Sequence, residues 1–405
     1  MTPSRDPRLA RRLVGAAAAG SAAVLAVAAC VVRYDAEPTP VVVVDAAPVV
    51  DAGAETSAPD TSVACVRALP PERPAVDDGT AAPNLKLNFA MVDLWLLPRE
   101  GERIAGFDLD GVCTCPEREA CKPLVFPDAT TANPSFRCDD DGGRDNRAYR
   151  QYLALREVTT QFGEEYWTNQ MVTGQQTSLI EVTDYNGGKN DVQVSVAFAA
   201  GMRGRSATDA GPDASLKFDG EDRWEIRDTE VPQAAPSGDG GTCTSMLGDC
   251  ATRSLDRNAY VRDGVLVARI DGVFPWPLGD LPWRMDMRQG YLVARIERLP
   301  SGQYALESGQ IAGRISGRDY LNVYGRIIVF PFTVPLCQTG FYAGFREELC
   351  QALDLPLDPT LDRQDTPCNA LSTAVHFRAA AIKLGGIANY PLQKLECPDA
   401  SLTCD

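Results

Sequence analysis

The sequence predicts an all-β protein: an antiparallel β-sandwich of jelly-roll-like form, with one or two short helices and long disulfide-pinned loops. Two observations predict this class. Segments of alternating apolar and polar residues recur from residue 85 onwards with turn-forming residues between them, and few stretches carry a long helical period. Long loops at the ends of such a sandwich are expected to carry any binding site.

The predicted strands follow one another along most of the chain. A turn at residues 184–188 joins two of them, and Asp263-Gly264 joins two more, so two hairpins are expected. In chain order, strands are predicted at residues 85–96, 178–183, 191–198, 223–226, 259–270 (both arms of the second hairpin), 291–296, 308–315 and 375–384.

Two helices interrupt the strands. The first is predicted from residue 147 to about 162, with Asp145 or Asn146 as its cap. The second is expected near residues 344–353.

The N-terminal segment predicts the compartment. Basic residues precede an apolar stretch, and two small residues stand directly before Cys30. That order is typical of a bacterial lipoprotein signal peptide, in which the cysteine is acylated. We therefore predict a signal peptide at residues 1–29, lipidated Cys30 with a disordered Ala/Val/Pro/Asp-rich tether over 30–83, and a disulfide-bonded sandwich domain over 84–405. Val31 after the cysteine favours the outer membrane or cell surface.

Several motifs carry a resemblance. They are GFDLDG at 106–111, DGGRDN at 141–146, DYNG at 184–187 with Asn190-Asp191, and the YVxxGxLVA hairpin at 260–268. Together they resemble a set of uncharacterised bacterial lipoproteins of gliding high-GC bacteria, over about residues 108–397. The resemblance implies the compartment and a shared fold but no reaction.

The charge argues against one class of partner. The chain of 405 residues has a formal net charge of −16, and loss of the basic leader would make it more acidic. Because an acidic surface repels phosphate, we do not expect nucleic acid as a partner. The expected partners are the membrane, through the lipid, and a glycan or an envelope protein.

The cysteine count predicts disulfides. There are 13 cysteines, and setting lipidated Cys30 aside leaves an even number, as expected for bridges in an exported protein. Cys243 and Cys250 close a short loop and are the predicted pair. Zinc at Cys113, Cys115 and Cys121 is the alternative, but the chain has a single histidine to add.

The acidic residues suggest a metal site. Asp139, Asp141 and Asp145 surround Gly142, and Asp108 and Asp110 precede Gly111. Carboxylates on alternate residues beside a glycine turn can converge on Ca²⁺, so these five residues are predicted calcium ligands. In the alternative interpretation they cap a helix and form turns.

Two tryptophans suggest a ligand surface. Trp276 and Trp283 lie in a Pro-rich apolar loop at residues 273–283 and could stack on sugar rings or dock a protein. The alternative is that the loop folds over the sheet and buries them.

No catalytic residues are predicted. His376 lies in an alternating strand pattern, and no phosphate-binding loop or dinucleotide fingerprint appears. We therefore expect a lipid-anchored envelope protein with a non-catalytic binding or structural role. The alternative function is a secreted hydrolase of envelope or extracellular polysaccharide, which needs only two carboxylates.

Overall fold

The part of the chain that the computed structural model describes contains ten β-strands and four short α-helices. The described residues are 67–78, 84–113, 120–124, 139–156, 164–206, 216–232, 243–276, 284–327, 334–389, 396–398 and 402–404. The strands are β1 (Leu85–Trp95), β2 (Gln176–Tyr185), β3 (Asp191–Arg205), β4 (Arg223–Arg227), β5 (Ser254–Arg262), β6 (Val265–Pro275), β7 (Arg284–Arg298), β8 (Tyr304–Ser316), β9 (Ala370–Ala381) and β10 (Lys383–Ala388). The helices are α1 (Arg147–Arg156), α2 (Glu164–Val172), α3 (Gly317–Tyr324) and α4 (Tyr342–Gln351). The all-β prediction is confirmed.

The sheet closes into an eight-stranded barrel, so the prediction of a sandwich is wrong. The strands run in the order β3-β2-β1-β9-β8-β7-β6-β5, each pair is antiparallel, and pairing of β5 with β3 closes the ring. The alternating pattern is the same for a sandwich face and a barrel wall. A barrel differs from a sandwich in that the two edge strands of the sheet pair with each other, and no local sequence pattern predicts that pairing.

Strand β3 is the branch point of the sheet. Its first half, residues 191–198, pairs with β5 and closes the barrel. Further along the same edge, residues 201–205 pair with β4, which in turn pairs in parallel with β10. The two smaller strands therefore form a short extension that leaves the barrel next to the first residue of β5.

One continuous apolar core fills the barrel. Alternate residues of all eight barrel strands contribute to it, including Phe89, Ile180, Phe198 and Phe377, each at most 1% exposed. Glycines make room where the wall bends: a Cβ at Gly309 would lie 2.5 Å from the Phe377 ring. The helices add Tyr152, Trp167 and Tyr320, among others, to the same core.

Two smaller clusters cover the outside of the wall. Trp224 and Ile226 of the β4–β10 extension pack with outward residues of β2 and β3 and with the Cys243–Cys250 loop. On the other side, Phe107 and Leu109 pack with Ala312, Ala370 and other outward residues of the wall. This second covered face carries the candidate site.

Local sequence signals correspond closely to the elements. Asp263 (φ 52°) and Gly264 (φ 80°) both adopt left-handed conformations and form the two-residue turn of the predicted second hairpin. Helix α1 begins at the predicted residue, and Asn146, rather than Asp145, accepts a hydrogen bond from the Tyr149 amide. None of the described helices has the length and apolar character needed to cross a bilayer.

Residues 67–78 are hydrogen-bonded to the barrel, although the sequence places them in the tether. The Ala68 amide donates to Gly142, and the Asp108 amide donates to Ala68. Arg73 donates to carbonyls of β3 and β5, and the Tyr260 hydroxyl donates to the Pro71 carbonyl. A Pro-rich segment cannot form a regular ladder, but its carbonyls and long side chains still bind the wall. Cys30 and residues 1–66 lie outside the described part.

Four disulfides join described cysteines. The structure links Cys243 to Cys250, as the loop spacing suggests, and it also links Cys337 to Cys397 and Cys350 to Cys404. Cys121 bonds to Cys368 across 247 residues of sequence. Cys113 is also disulfide-bonded, so neither Cys113 nor Cys121 is free to bind zinc.

The longest bridge should contribute more stability than the shortest. In the chain-entropy account, closing a 247-residue loop stabilises by about 5 kcal/mol and closing a loop of seven or eight residues by about 2.5 kcal/mol. We expect the double variant Cys121→Ala/Cys368→Ala to lose about twice the free energy of unfolding lost by Cys243→Ala/Cys250→Ala, in oxidised protein unfolded by urea. All four cysteines are at most 4% exposed, so the two double variants should lose similar amounts of packing free energy. Equal losses would contradict this ranking.

Candidate functional site

A buried arginine anchors the segments that cover the outer face of β8. Arg314 is fully buried, and its guanidinium forms a bidentate pair with Asp362, with N–O distances of 2.5 and 2.6 Å. It also donates to the carbonyls of Pro356 and Leu109, both at 2.8 Å. One side chain thus fixes two loops that are more than 200 residues apart in sequence.

Three carboxylates converge beside this anchor. Asp108, Asp110 and Asp145 are 4%, 6% and 2% exposed, and each offers an oxygen within 4.8 Å of the oxygens offered by the other two. Asp108 and Asp110 flank Leu109 on the covering loop, and Asp145 lies directly before Asn146, the cap of α1. The three carboxylates therefore come from two sequence motifs, GFDLDG and DGGRDN, which are also among the motifs that carry the resemblance.

Backbone amides orient the three side chains. Asp108 accepts a hydrogen bond from Gly111 at 2.6 Å, Asp110 from Val112 at 2.7 Å, and Asp145 from Leu109 at 2.7 Å. Gly111 has φ 75°, and a Cβ there would lie 2.6 Å from an Arg363 nitrogen, so this turn needs glycine.

Arginine side chains contact only part of the carboxylate cluster. Arg67 pairs with Asp108, and Arg363 donates to the carbonyls of Asp110 and Gly111. Among the described residues, no lysine or arginine forms an ion pair with Asp110 or Asp145. Two of the three carboxylates therefore lack a direct cationic partner.

The local electrostatics disfavour three negative charges. Burial raises the pKa of Asp110 to about 7, and the charges of Asp108 and Asp362 act in the same direction. Burial also raises the pKa of Asp145 well above its ordinary value, and the charges of Asp110 and Asp139 add to that effect. The cluster needs a proton or a cation to be stable at neutral pH.

Of the five predicted calcium ligands, the structure brings three together. Asp141 is exposed on the turn between Asp140 and Arg144, which bond to each other through their backbones. Asp139 is half-buried just before that turn and acts on Asp145 through its charge. The D-x-D-G-x-x-D spacing therefore forms a turn, and only its last aspartate joins the cluster.

An open groove of about 780 Å³ lies beside the covering segment at residues 357–361. Its walls are the outer faces of β6 and β7 and the segment around Leu357 and Pro359. Polar side chains line it: Arg269, Asp271, Arg288, Gln289, Asp358 and Asn369. Tyr291 adds one aromatic ring, which packs edge-on against Phe107.

The groove and the carboxylate loop share a contact. The Gln289 side chain lines the groove and donates to the Leu109 carbonyl at 2.8 Å. Leu109 lies between Asp108 and Asp110 in sequence. A movement of the carboxylate loop would therefore reach the groove wall through this hydrogen bond.

The groove's charged groups are held in place. Arg288 pairs with Asp271 at 3.1 Å. Asp358 accepts hydrogen bonds from both the amide and the hydroxyl of Thr360, which lower the pKa of this exposed carboxyl. Both carboxylates are therefore acceptors fixed by neighbours.

Trp276 is buried, not presented to a ligand. It is 6% exposed and packs against Phe274 with ring centroids 5.1 Å apart. With Tyr152, Trp167 and Tyr320 it lines a small cavity of about 40 Å³ in the core. Trp276 therefore fits the alternative interpretation, in which it is buried. The other predicted tryptophan, Trp283, lies outside the described residues.

His376 has a structural environment. Its ring stacks on Trp95 at 5.4 Å, and Nε2 hydrogen-bonds the Arg103 carbonyl at 3.0 Å. Burial lowers the pKa of the imidazole.

No known protein family matches this sequence, and neither a curated protein nor a solved structure matches the chain.

The sequence contains no motif that would identify the residues that organise this region. Arg314 follows Gly313 in a strand with alternating character, where an arginine ordinarily faces solvent. Gln289 and Arg288 lie in a strand without any motif. Only their strand positions, next to outward-facing alanines and a covering loop, distinguish them.

Replacing the anchor should disrupt the covering loops. We expect Arg314→Ala to lower the free energy of unfolding by about 3–5 kcal/mol, because the half-buried Asp362 and the carbonyls of Leu109 and Pro356 would all lose their partner. Denaturant unfolding measures this loss. The matched control Arg318→Ala, on α3, should lose less than about 1 kcal/mol, since its residue is exposed. Equal effects would contradict the anchoring role.

Proposed function

We propose that this protein is a lipid-anchored cell-envelope protein that binds a glycan, without catalysis, in the groove on the outer face of β6 and β7. The observation that carries the proposal is the groove itself. Its volume of about 780 Å³ falls in the range of small-ligand sites, about 300–1,000 Å³. Its open shape suits a section of an extended chain.

The chemistry of the lining fits sugar rings. Arg269, Arg288 and Asn369 supply donors, and Asp271 and Asp358 supply acceptors, for ring hydroxyls. Tyr291 and Leu357 supply apolar surface for the C–H face of a ring. The ion pair of Arg288 with Asp271 orders this polar edge before a ligand arrives, which lowers the entropic cost of binding.

A binding role is favoured over hydrolysis by the state of Asp358. A glycosidase acid must hold a proton near neutral pH, which requires a raised pKa. The hydrogen bonds from Thr360 lower the pKa of Asp358 instead. The second candidate function, polysaccharide hydrolysis, would need Asp358 to act as base and another group to act as acid.

Groove binding predicts a selective loss on truncation of Arg288. Envelope oligosaccharides on an array should identify a glycan that binds the wild-type protein, and calorimetry with that glycan should give its affinity. We expect Arg288→Ala to weaken binding at least tenfold, because the variant loses the donor and disorders Asp271.

Arg262→Ala is the matched control. Arg262 pairs with Asp263 at 3.2 Å, and its side chain is 43% exposed, against 3.1 Å and 46% for Arg288, but it does not line the groove. The control should bind like wild type. Equal weakening in both variants, or binding only to proteins on a companion array, would overturn the glycan assignment. Release of new reducing ends from the bound glycan would support the hydrolase instead.

Lipid anchoring predicts a second outcome. We expect the wild-type protein to incorporate labelled palmitate in a bacterial host and to fractionate with membranes. Cys30→Ala should lose both the label and the membrane fraction, because no other acylation site is proposed. Cys65→Ala is the matched control and should keep both. Persistence of the label in Cys30→Ala would contradict the anchor.

A further inference from the structure

The cluster of Asp108, Asp110 and Asp145 contains an acceptor without a donor. Oδ1 of Asp110 accepts from the Val112 amide, but Oδ2 is buried and has no hydrogen-bond partner. The residue is 6% exposed, and its carboxylate contributes an oxygen to the cluster. A buried carboxylate oxygen left without a partner costs free energy, so something else must satisfy it.

The charges of the neighbourhood leave room for a cation. The carboxylates of Asp108, Asp110, Asp145 and Asp362 lie here with the guanidinium groups of Arg67, Arg314 and Arg363, and the charge of Asp139 also acts on Asp145. Arg67 pairs with Asp108 and Arg314 with Asp362, which leaves the uncompensated charge on Asp110 and Asp145. A cation between the three clustered carboxylates would lie next to both.

The ligand atoms of the cluster suit a hard divalent cation, because all three are carboxylate oxygens. Calcium binds oxygen ligands at about 2.3–2.6 Å, so oxygens on opposite sides of the ion are up to about 5 Å apart. The three ligand oxygens lie within 4.8 Å of one another. Magnesium holds its waters tightly and is usually bound through only one or two carboxylates, so three protein carboxylates at one point favour calcium.

We propose that Asp108, Asp110 and Asp145 bind one calcium ion in the loop that covers the outer face of β8. The remaining positions in its coordination shell would be filled by water or backbone carbonyls, as in other calcium sites. The ion would satisfy the free oxygen of Asp110 and offset the excess negative charge. This site stands independently of the glycan proposal, although Leu109 connects it to Gln289 in the groove.

Direct titration tests the proposal. Oxidised full-length protein, purified in detergent and stripped with a chelator, is titrated with calcium chloride by calorimetry, and its melting temperature (Tm) is measured with calcium and with chelator. We expect one calcium ion per chain. We also expect a Tm increase of about 3–8 °C at a calcium concentration a hundredfold above Kd. Magnesium should bind at least tenfold more weakly.

Two variants localise the ion. Asp110→Asn should weaken calcium binding at least tenfold and remove the Tm increase, because it neutralises the ligand that has a free oxygen. Asp141→Asn is the matched control: this residue was predicted from sequence as a ligand but is exposed on the turn, and the variant should bind calcium like wild type.

Other results would overturn the site. If wild-type protein binds no calcium while Asp110→Asn raises the Tm in chelator, the cluster is neutralised by a bound proton. If Asp141→Asn weakens binding as much as Asp110→Asn, the ion lies at the turn and not in the cluster. Tighter binding of magnesium than of calcium would overturn the choice of ion. The calorimetry of the wild-type protein decides the question even if Asp110→Asn fails to fold.

Discussion

Burial of the Arg314 guanidinium on the outside of a barrel strand is the constraint on which this face of the molecule depends. A charged group removed from water is stable only when all its strong interactions are made. The two terminal nitrogens of Arg314 meet that condition with a bidentate carboxylate and two backbone carbonyls, supplied by segments around residues 109 and 356–362, while its Nε has no hydrogen-bond partner. Those segments must therefore dock together for the barrel wall to be covered at all.

The two candidate sites both adjoin those docked segments. One segment carries Asp108 and Asp110, and the three clustered carboxylates are oriented by amides of the same loop. The other forms one wall of the groove, through Leu357 and Pro359. A single arginine thus sets the geometry of both, and this explains why neither site could be built from one contiguous motif.

The sequence predicted the elements well and their closure poorly. Alternation and the Asp263-Gly264 turn located most strands and a hairpin, because those signals are local. Closure depends on residues 191–198 pairing with β5, a contact between distant segments that leaves the same alternation as a sandwich would. The acidic motifs pointed to Asp108, Asp110 and Asp145, but convergence depends on tertiary docking. Asp141 belongs to the same motif but lies outside the cluster, because the motif alone does not determine which residues dock together. Trp276 is apolar, and an apolar residue in a loop is compatible both with an exposed ligand surface and with burial.

The hydrogen bonds of residues 67–78 would have a mechanical consequence if the proposed lipid at Cys30 holds the protein. Thirty-six residues separate Cys30 from Arg67, a length that extends to roughly 120–130 Å at full stretch. Among the described residues, tension on that linker would load the Arg67–Asp108 ion pair and the Ala68 backbone bonds before any barrel strand. If the proposed anchor is present, pulling on it would act on one of the three clustered carboxylates through Arg67, at the edge of the candidate ion site.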